Sequence, residues 1–313
     1  MLTATDLRSL ASCSHDEALR LVLEKFPQTG LQATQLGRAR GLLKEALLRQ
    51  NPILCSFTSN LVSCGLRETF AWMARNRLVS LFVSTAGGIE EDVIKCLGET
   101  VVGDFSLKGK ELREKGLNRI GNLLVPNSNY CSFEDFFMPV LKDLHAKQRA
   151  SRWERFTSPS EIIEILGEAV SALERREESI VYWCWRNKIP MFCPALTDGS
   201  IGDMIFFYNF SQKGLVVDPI PDYLRLRSCA ASCTNGPYVA LVLGGGLPKH
   251  HLLQAIPEQH CGHVVMVSTG NEADGCVSSS CRADDLSHGL VKEGDRIVQV
   301  WGDASIVLPL MLI

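Results

Sequence analysis

The apolar positions of this chain change period near residue 50. Between Asp16 and Lys25, Ala18, Leu19, Val22 and Leu23 recur on one helical face, and residues 36–48 repeat the arrangement with Arg and Lys opposite. From about Asn51 onward short apolar runs alternate with helical stretches, the texture of a mostly parallel sheet with crossover helices. The pattern predicts strands at 54–58, 78–84, 120–125, 191–193, 214–217, 239–243, 264–267, 297–300 and 306–310. It predicts helices at 65–75, 90–97, 133–148, 158–172, 179–188, 203–208 and 249–256. Ser158, Pro159 and Glu161 have the order of a helix start, with a serine cap, proline in the first turn and glutamate three residues after the cap. An N-terminal helical extension over 1–50 and one α/β domain over 51–313 are therefore expected.

Composition narrows the classes. With 313 residues, of which 46% are apolar, the chain can bury a full core. A net charge of −3 provides no global field toward nucleic acid or a membrane surface. No apolar run is long enough to span a bilayer, and the first residues lack the order of a signal peptide. The 12 cysteines include no C-x-x-C pair, and Cys96, Cys184 and Cys193 lie in apolar runs, so reduced thiols and a cytoplasmic location are expected. His260, Cys261 and His263 have no second ligand cluster at zinc-site spacing, and no metal is assigned to them. The chain ends on an apolar stretch, 310–313, expected to tuck against the core or a partner.

Candidate chemistry gathers after predicted strands. The run from Val239 to Leu243 is uncharged and reads as a strand buried on both faces. Gly244, Gly245 and Gly246 follow it, then Lys249, His250 and His251. Glycines at a strand's carboxyl end let backbone N–H groups approach a ligand closely, although a plain turn before a basic helix start reads equally well from these residues alone. Ser59 and Asn60 follow the strand at 54–58, and Thr85, Ala86 and Gly87 follow 78–84 and lead to Glu90 and Glu91. Asp198 follows the 191–193 run, and Asp303 and Ala304 follow 297–300. Hydroxyls and amides at such positions suit a pyrophosphate, and single acids suit ribose hydroxyls. Five stretches of this kind make a dinucleotide crevice the expected site.

Several blocks resemble deoxyhypusine synthase: SNLVSCGLRET (59–69), TAGGIEEDVIK (85–95), FSLKGKELREKGLNRIGNLLVPNSNYC (105–131), PALTDGSIGDMIFF (194–207), LVLGGGLPKHH (241–251) and GDAS (302–305), with GLQATQLGRA (30–39) before them. The resemblance runs from about residue 28 to the end. It implies a doubly wound, mostly parallel Rossmann-like α/β sheet with helices on both faces, assembled as a tetramer with active sites at dimer interfaces. It also implies an NAD-dependent transferase. Such an enzyme oxidises spermidine, carries the aminobutyl group as an imine on a lysine, and delivers it to one lysine of the translation initiation factor 5A precursor. By resemblance, NAD contacts fall on Ser59, Asn60, Thr85, Ala86, Gly87, Glu91, Asp198, Gly245, Gly246, Thr269, Asp274, Asp303 and Ala304. Asp203 would pair with a substrate ammonium and His250 would move a proton.

The departure lies in residues 274–290, DGCVSSSCRADDLSHGL. Val277 or Ser278 stands where the family has an acid, His288 replaces a tryptophan, and Leu290 replaces the imine-forming lysine. Leucine offers no nucleophilic nitrogen. Asp284 and Asp285 keep some acidity with a one-residue shift, so Asp285 and His288 remain candidates for the polyamine pocket. The expected role is a regulatory, catalytically impaired subunit that activates a lysine-bearing paralogue in a heterotetramer and reaches the factor 5A precursor through that complex. Two other readings stay open: a self-sufficient synthase using Lys292 as nucleophile, and an NAD-binding structural protein. Lys249 is expected at the surface of its helix start.

Overall fold

In the computed structural model residues 15–279 and 282–313 are described, so residues 1–14 of the expected helical extension lie outside the described part. In chain order the elements are α1 (His15–Thr29), α2 (Leu31–Arg49), β1 (Ile53–Phe57), α3 (Asn60–Ser63), α4 (Leu66–Arg75), β2 (Leu81–Val83), α5 (Ala86–Leu97), β3 (Val101–Val102), α6 (Gly109–Glu114), β4 (Leu117–Ile120), β5 (Leu123–Pro126), α7 (Asn127–Ala150), α8 (Pro159–Val170), α9 (Ile180–Asn187), β6 (Met191–Phe192), α10 (Ser200–Ser211), α11 (Ile220–Cys233), β7 (Val239–Leu243), α12 (Gly246–Ala255), β8 (His263–Ser268), α13 (Arg282–Ser287), β9 (Arg296–Trp301) and α14 (Ala304–Leu312). The principal sheet has six strands in the order β6-β2-β1-β7-β8-β9, flanked by helices, which is the α/β class expected. Strands β1 and β7 are buried at every position, as their unbroken apolar sequences require.

The chain falls into two compact units, residues 1–56 with 230–313, and residues 57–229. In the first unit β7 and β8 pair in parallel, Val239 opposite His263 and Leu243 opposite Val267. Strand β9 continues the parallel order, with Ser268 opposite Trp301. The ends of β7, β8 and β9 therefore open on one edge, where the glycine turn, Thr269 and Asp303 follow. Helix α2 packs against α14 and β9, so the helical N-terminal segment is part of this unit's packing. The apolar tail is tucked only in part: Met311 is buried, Leu310 and Leu312 are half-buried, and Ile313 is 58% exposed, with its carbonyl accepting from Arg40 at 2.9 Å. Residues 306–310 form a helix, not the predicted strand. Asp303 caps it by accepting from the Ser305 N–H at 2.8 Å, and this local capping overrides the β-like composition.

In the second unit β2 and β6 pair in parallel, Phe82 opposite Met191. Phe57 stacks on Phe70 with ring centroids 4.3 Å apart, and Phe82 meets both edge-on. The predicted strand 120–125 is broken by a turn at residues 121–122 between two antiparallel strands, β4 and β5, of a separate three-stranded sheet, and its residues 123–125 lie in β5. Gly121 sits there at φ +58°, a left-handed position that ends one strand and starts the next. Residues 214–217 contribute only a single bridge, Val217 to Thr157, because no neighbouring strand continues the ladder. The capping box of α8 is present, with Ser158 and Glu161 each bonded to the other's backbone. A buried ion pair, Arg67 Nε to Asp92 Oδ1 at 2.8 Å, ties α4 to α5. Asp92 Oδ2 also accepts from the Ser179 hydroxyl and the Val181 N–H, at 2.8 and 2.9 Å.

Candidate cofactor and substrate site

The second unit gathers one set of the expected residues where β1 and β2 end. Ser59 and Asn60 open α3, and Thr85 precedes α5, whose first residues are Ala86 and Gly87. The two turns are in contact: a Cβ on Gly87 would lie 2.8 Å from the Ser59 Cβ, so only glycine permits this approach. Thr58 donates to Asn60 Oδ1 at 2.6 Å and fixes the amide. One turn into α5, Glu91 is buried, and burial raises its carboxyl above the ordinary range, opposed by a hydrogen bond from the Ser63 hydroxyl.

Glu90, which the sequence sets beside Glu91 without a role of its own, shapes the turn after β6. Its Oε2 accepts from the Ile201 N–H at 2.9 Å, and its carboxylate lies against Gly199. Burial raises the Glu90 carboxyl, backbone N–H groups of Ile201 and Ser200 lower it, and the nearby charges of Glu91 and Asp203 raise it again. The carboxylate thus sits at the start of α10, between Asp198 just before that helix and Asp203 in its first turn. Tyr130 completes the group: burial, with Glu91 and Glu90 close by, pushes its phenol up to about 12. The signal for Glu90 was its place beside Glu91. Tyr130 had none, since its helix starts farther upstream than the apolar period showed.

The first unit holds the other set. Gly244 donates to the Val267 carbonyl at 2.8 Å, and Gly245 and Gly246 lead into α12, which carries His250 half-buried. A Cβ on Gly245 would lie 2.3 Å from the Ser278 Cα, so the turn Val277–Ser279 packs directly on the glycines. Ser268 donates to the Ser278 carbonyl at 2.7 Å, holding that turn from below. Thr269 is exposed after β8, and Ala304 is buried behind the capping carboxylate of Asp303. Asp274 ends the short turn Glu272–Asp274, and its side chain lies outside the described residues.

The divergent segment is built inward. Leu290, the residue that the resemblance sets against the family's lysine, is 3% exposed, and its N–H donates to the Asp285 carbonyl at 2.8 Å, so it is a core position here. Asp285 is itself buried and paired with Lys249 at 2.7 Å. His288 is exposed. Lys249 is not the surface residue its sequence position implied, because its ammonium finds a buried carboxylate. Lys292 extends toward the Ile256 carbonyl, 3.5 Å away, at the far end of α12. Among the described residues no group of three metal-ligating side chains occurs, and no helix is long and apolar enough to cross a membrane.

Comparison with known proteins gives this geometry its context. The family model "Deoxyhypusine synthase" matches residues 21–313. A Leishmania donovani protein named inactive deoxyhypusine synthase is 56% identical, the match covering 98% of this chain and 82% of that one. A Trypanosoma brucei brucei protein named deoxyhypusine synthase regulatory subunit is 51% identical, over 98% of this chain and 91% of its own length. A crystal structure named for deoxyhypusine synthase, from Entamoeba histolytica, superposes with TM-score 0.67 at 22% identity, covering 99% of this chain and 95% of that one, and shows the same fold. With a family model over residues 21–313 and relatives of these names matched over 98% of its length, the chain belongs to the deoxyhypusine synthase family, as a catalytically impaired, regulatory paralogue.

Proposed function

We propose that this chain pairs with a lysine-bearing deoxyhypusine synthase paralogue in a heterotetramer and activates it toward the factor 5A precursor. The observation that carries the reading is Leu290, buried where the nucleophile would stand, in a chain whose cofactor-side turns are still built. Those turns fit a dinucleotide. Gly87 lies close enough to Ser59 for the α5 start to present backbone N–H groups, while Glu91 and Asp198 remain as acids for ribose hydroxyls. NAD, when bound, supplies the hydride acceptor of the family's reaction. This chain's own residues bind and orient the dinucleotide, and the amine chemistry belongs to the partner's lysine.

Helix α10 supports a partner. It carries Asp203 in its first turn and presents Phe206, Phe207 and Phe210 to solvent, 62%, 56% and 81% exposed. The Phe206 ring stands against both Phe207 and Phe210. Together they offer roughly 400 Å² of apolar area, about half of what one side of a stable interface buries. The lysine-bearing paralogue is the partner assigned to this face.

Activation then has a simple free-energy form. A paralogue that is 99:1 inactive becomes 99:1 active if this chain binds the active conformation more tightly by about 5.5 kcal/mol. Sedimentation of the mixed proteins tests the pairing. The mixture should form one hetero-oligomer, and Phe210→Glu should dissociate it; two components that sediment independently would contradict the proposal.

A further inference from the structure

The Lys249–Asp285 pair has no expected counterpart, since Asp285 belongs to the divergent segment and Lys249 was read as a surface residue. Their side chains are 1% and 4% exposed, and Nζ lies 2.7 Å from Oδ1. The same ammonium donates to the Val277 carbonyl at 3.2 Å. One buried cation therefore ties α12, the turn Val277–Ser279 and α13 together. Among the described residues Asp285 Oδ2 is buried without a hydrogen-bond partner, so the carboxylate is only half satisfied there. A buried carboxylate without a cation is costly, and an alkylammonium on a buried stem offsets that cost.

That group is also what a polyamine presents. We propose that the Lys249 side chain is an internal alkylammonium that occupies Asp285, so that this chain satisfies that acid from within and leaves it closed to substrate amines. The slot is a built ammonium site: a stem 1% exposed, a carboxylate at its end and a backbone carbonyl beside it. Its present occupant is covalently attached. The inference deepens the regulatory reading by giving a second reason, besides Leu290, why this subunit takes no polyamine here. It concerns the isolated chain alone, so its failure would leave the pairing with a paralogue untouched.

The experiment is chemical rescue. Lys249→Ala removes three methylenes and the ammonium, the equivalent of n-propylammonium. The unfolding midpoint of Lys249→Ala should lie below that of the unsubstituted chain, and n-propylamine should raise it saturably, by about 3 °C at ten times its dissociation constant. Uncharged n-propanol should not raise it. The double variant Lys249→Ala/Asp285→Asn should show no response to the amine, nor should the unsubstituted chain respond to spermidine. An amine response that persists in the double variant, or a folded Lys249→Ala protein with no response, overturns the proposal. If Lys249→Ala does not fold, lysine acetylation of the unsubstituted chain decides. Lys249 should be protected by at least about 100-fold relative to exposed lysines, as expected of an amine reached only through opening of the structure. Labelling at the rate of exposed lysines overturns the proposal.

Discussion

Lys292 directs its ammonium to the Ile256 carbonyl, 3.5 Å away, at the end of α12 opposite the glycine turn. Its pKa is lowered by burial, a signature that a nucleophilic lysine shares. Position decides against that role. Helix α12 has 10 residues and so is about 15 Å long, and the glycine turn lies at its start. The Lys292 N–H and the Gly262 N–H share the Asp295 carboxylate, at 2.7 and 2.8 Å, which fixes this lysine at the amino ends of β8 and β9. Replacing Lys292 with Ala should leave activation of a lysine-bearing paralogue within about twofold, measured as deoxyhypusine formed by the mixture. A loss of activity beyond tenfold would restore Lys292 as the working amine.

Restoring the lysine should not restore the enzyme. Leu290 is 3% exposed, and a lysine in its place would put an ammonium at a position that now buries an apolar side chain. Leu290→Lys should lower stability by about 3 kcal/mol or more, read from denaturant midpoints. Its activity alone should stay far below that of a lysine-bearing paralogue, because Val277 and His288 also depart from the family pattern.

The Arg67–Asp92 pair holds the second unit. Both side chains are fully buried, and burial works against the guanidinium while Asp92 favours it. Arg67→Ala leaves Asp92 facing only Ser179 and the Val181 N–H, and should cost about 3–5 kcal/mol in equilibrium unfolding. A cost below about 1 kcal/mol would mean that water or a neighbouring cation replaces the pair.

Glu90 gives a pH signature. Its carboxyl titrates above the ordinary value of 4.5 because it is buried. The folded chain therefore holds this proton more tightly than the unfolded chain does. The stability so gained is fully present below pH 4.5 and is lost as pH rises through the folded value. Relative to Glu90→Gln, the unsubstituted chain should be most stable at pH 4 and lose ground as pH rises toward 7, in denaturant midpoints taken across that range. A difference that does not vary with pH would show that Glu90 is not held in its raised state.

Much of this was legible in the chain because the signals were local. Val239 to Leu243 needs only its own composition to read as a buried strand, and Ser158 and Glu161 announce their helix start. The turns after β1, β2, β7 and β9 were found from glycines and hydroxyls alone, and the resemblance then supplied their roles. Signals that depend on distant partners were invisible. Lys249 looks like a solvated lysine until Asp285, 36 positions on, is folded beneath it. Residues 306–310 look like a strand until the Asp303 cap is counted, and 120–125 look like one strand until Gly121 turns the chain. Helix α11 was missed because its face is broken by Arg225, Arg227 and small residues, so no clean apolar period marks it.

The most direct measurement is spermidine-dependent deoxyhypusine formation on the factor 5A precursor, made with this chain, with a lysine-bearing paralogue and with the two mixed. The chain alone should be silent, and the mixture should exceed the paralogue alone by at least about tenfold, an activation worth roughly 1.4 kcal/mol. Equal rates with and without this chain, or substantial product from this chain by itself, would contradict a regulatory subunit without its own nucleophile.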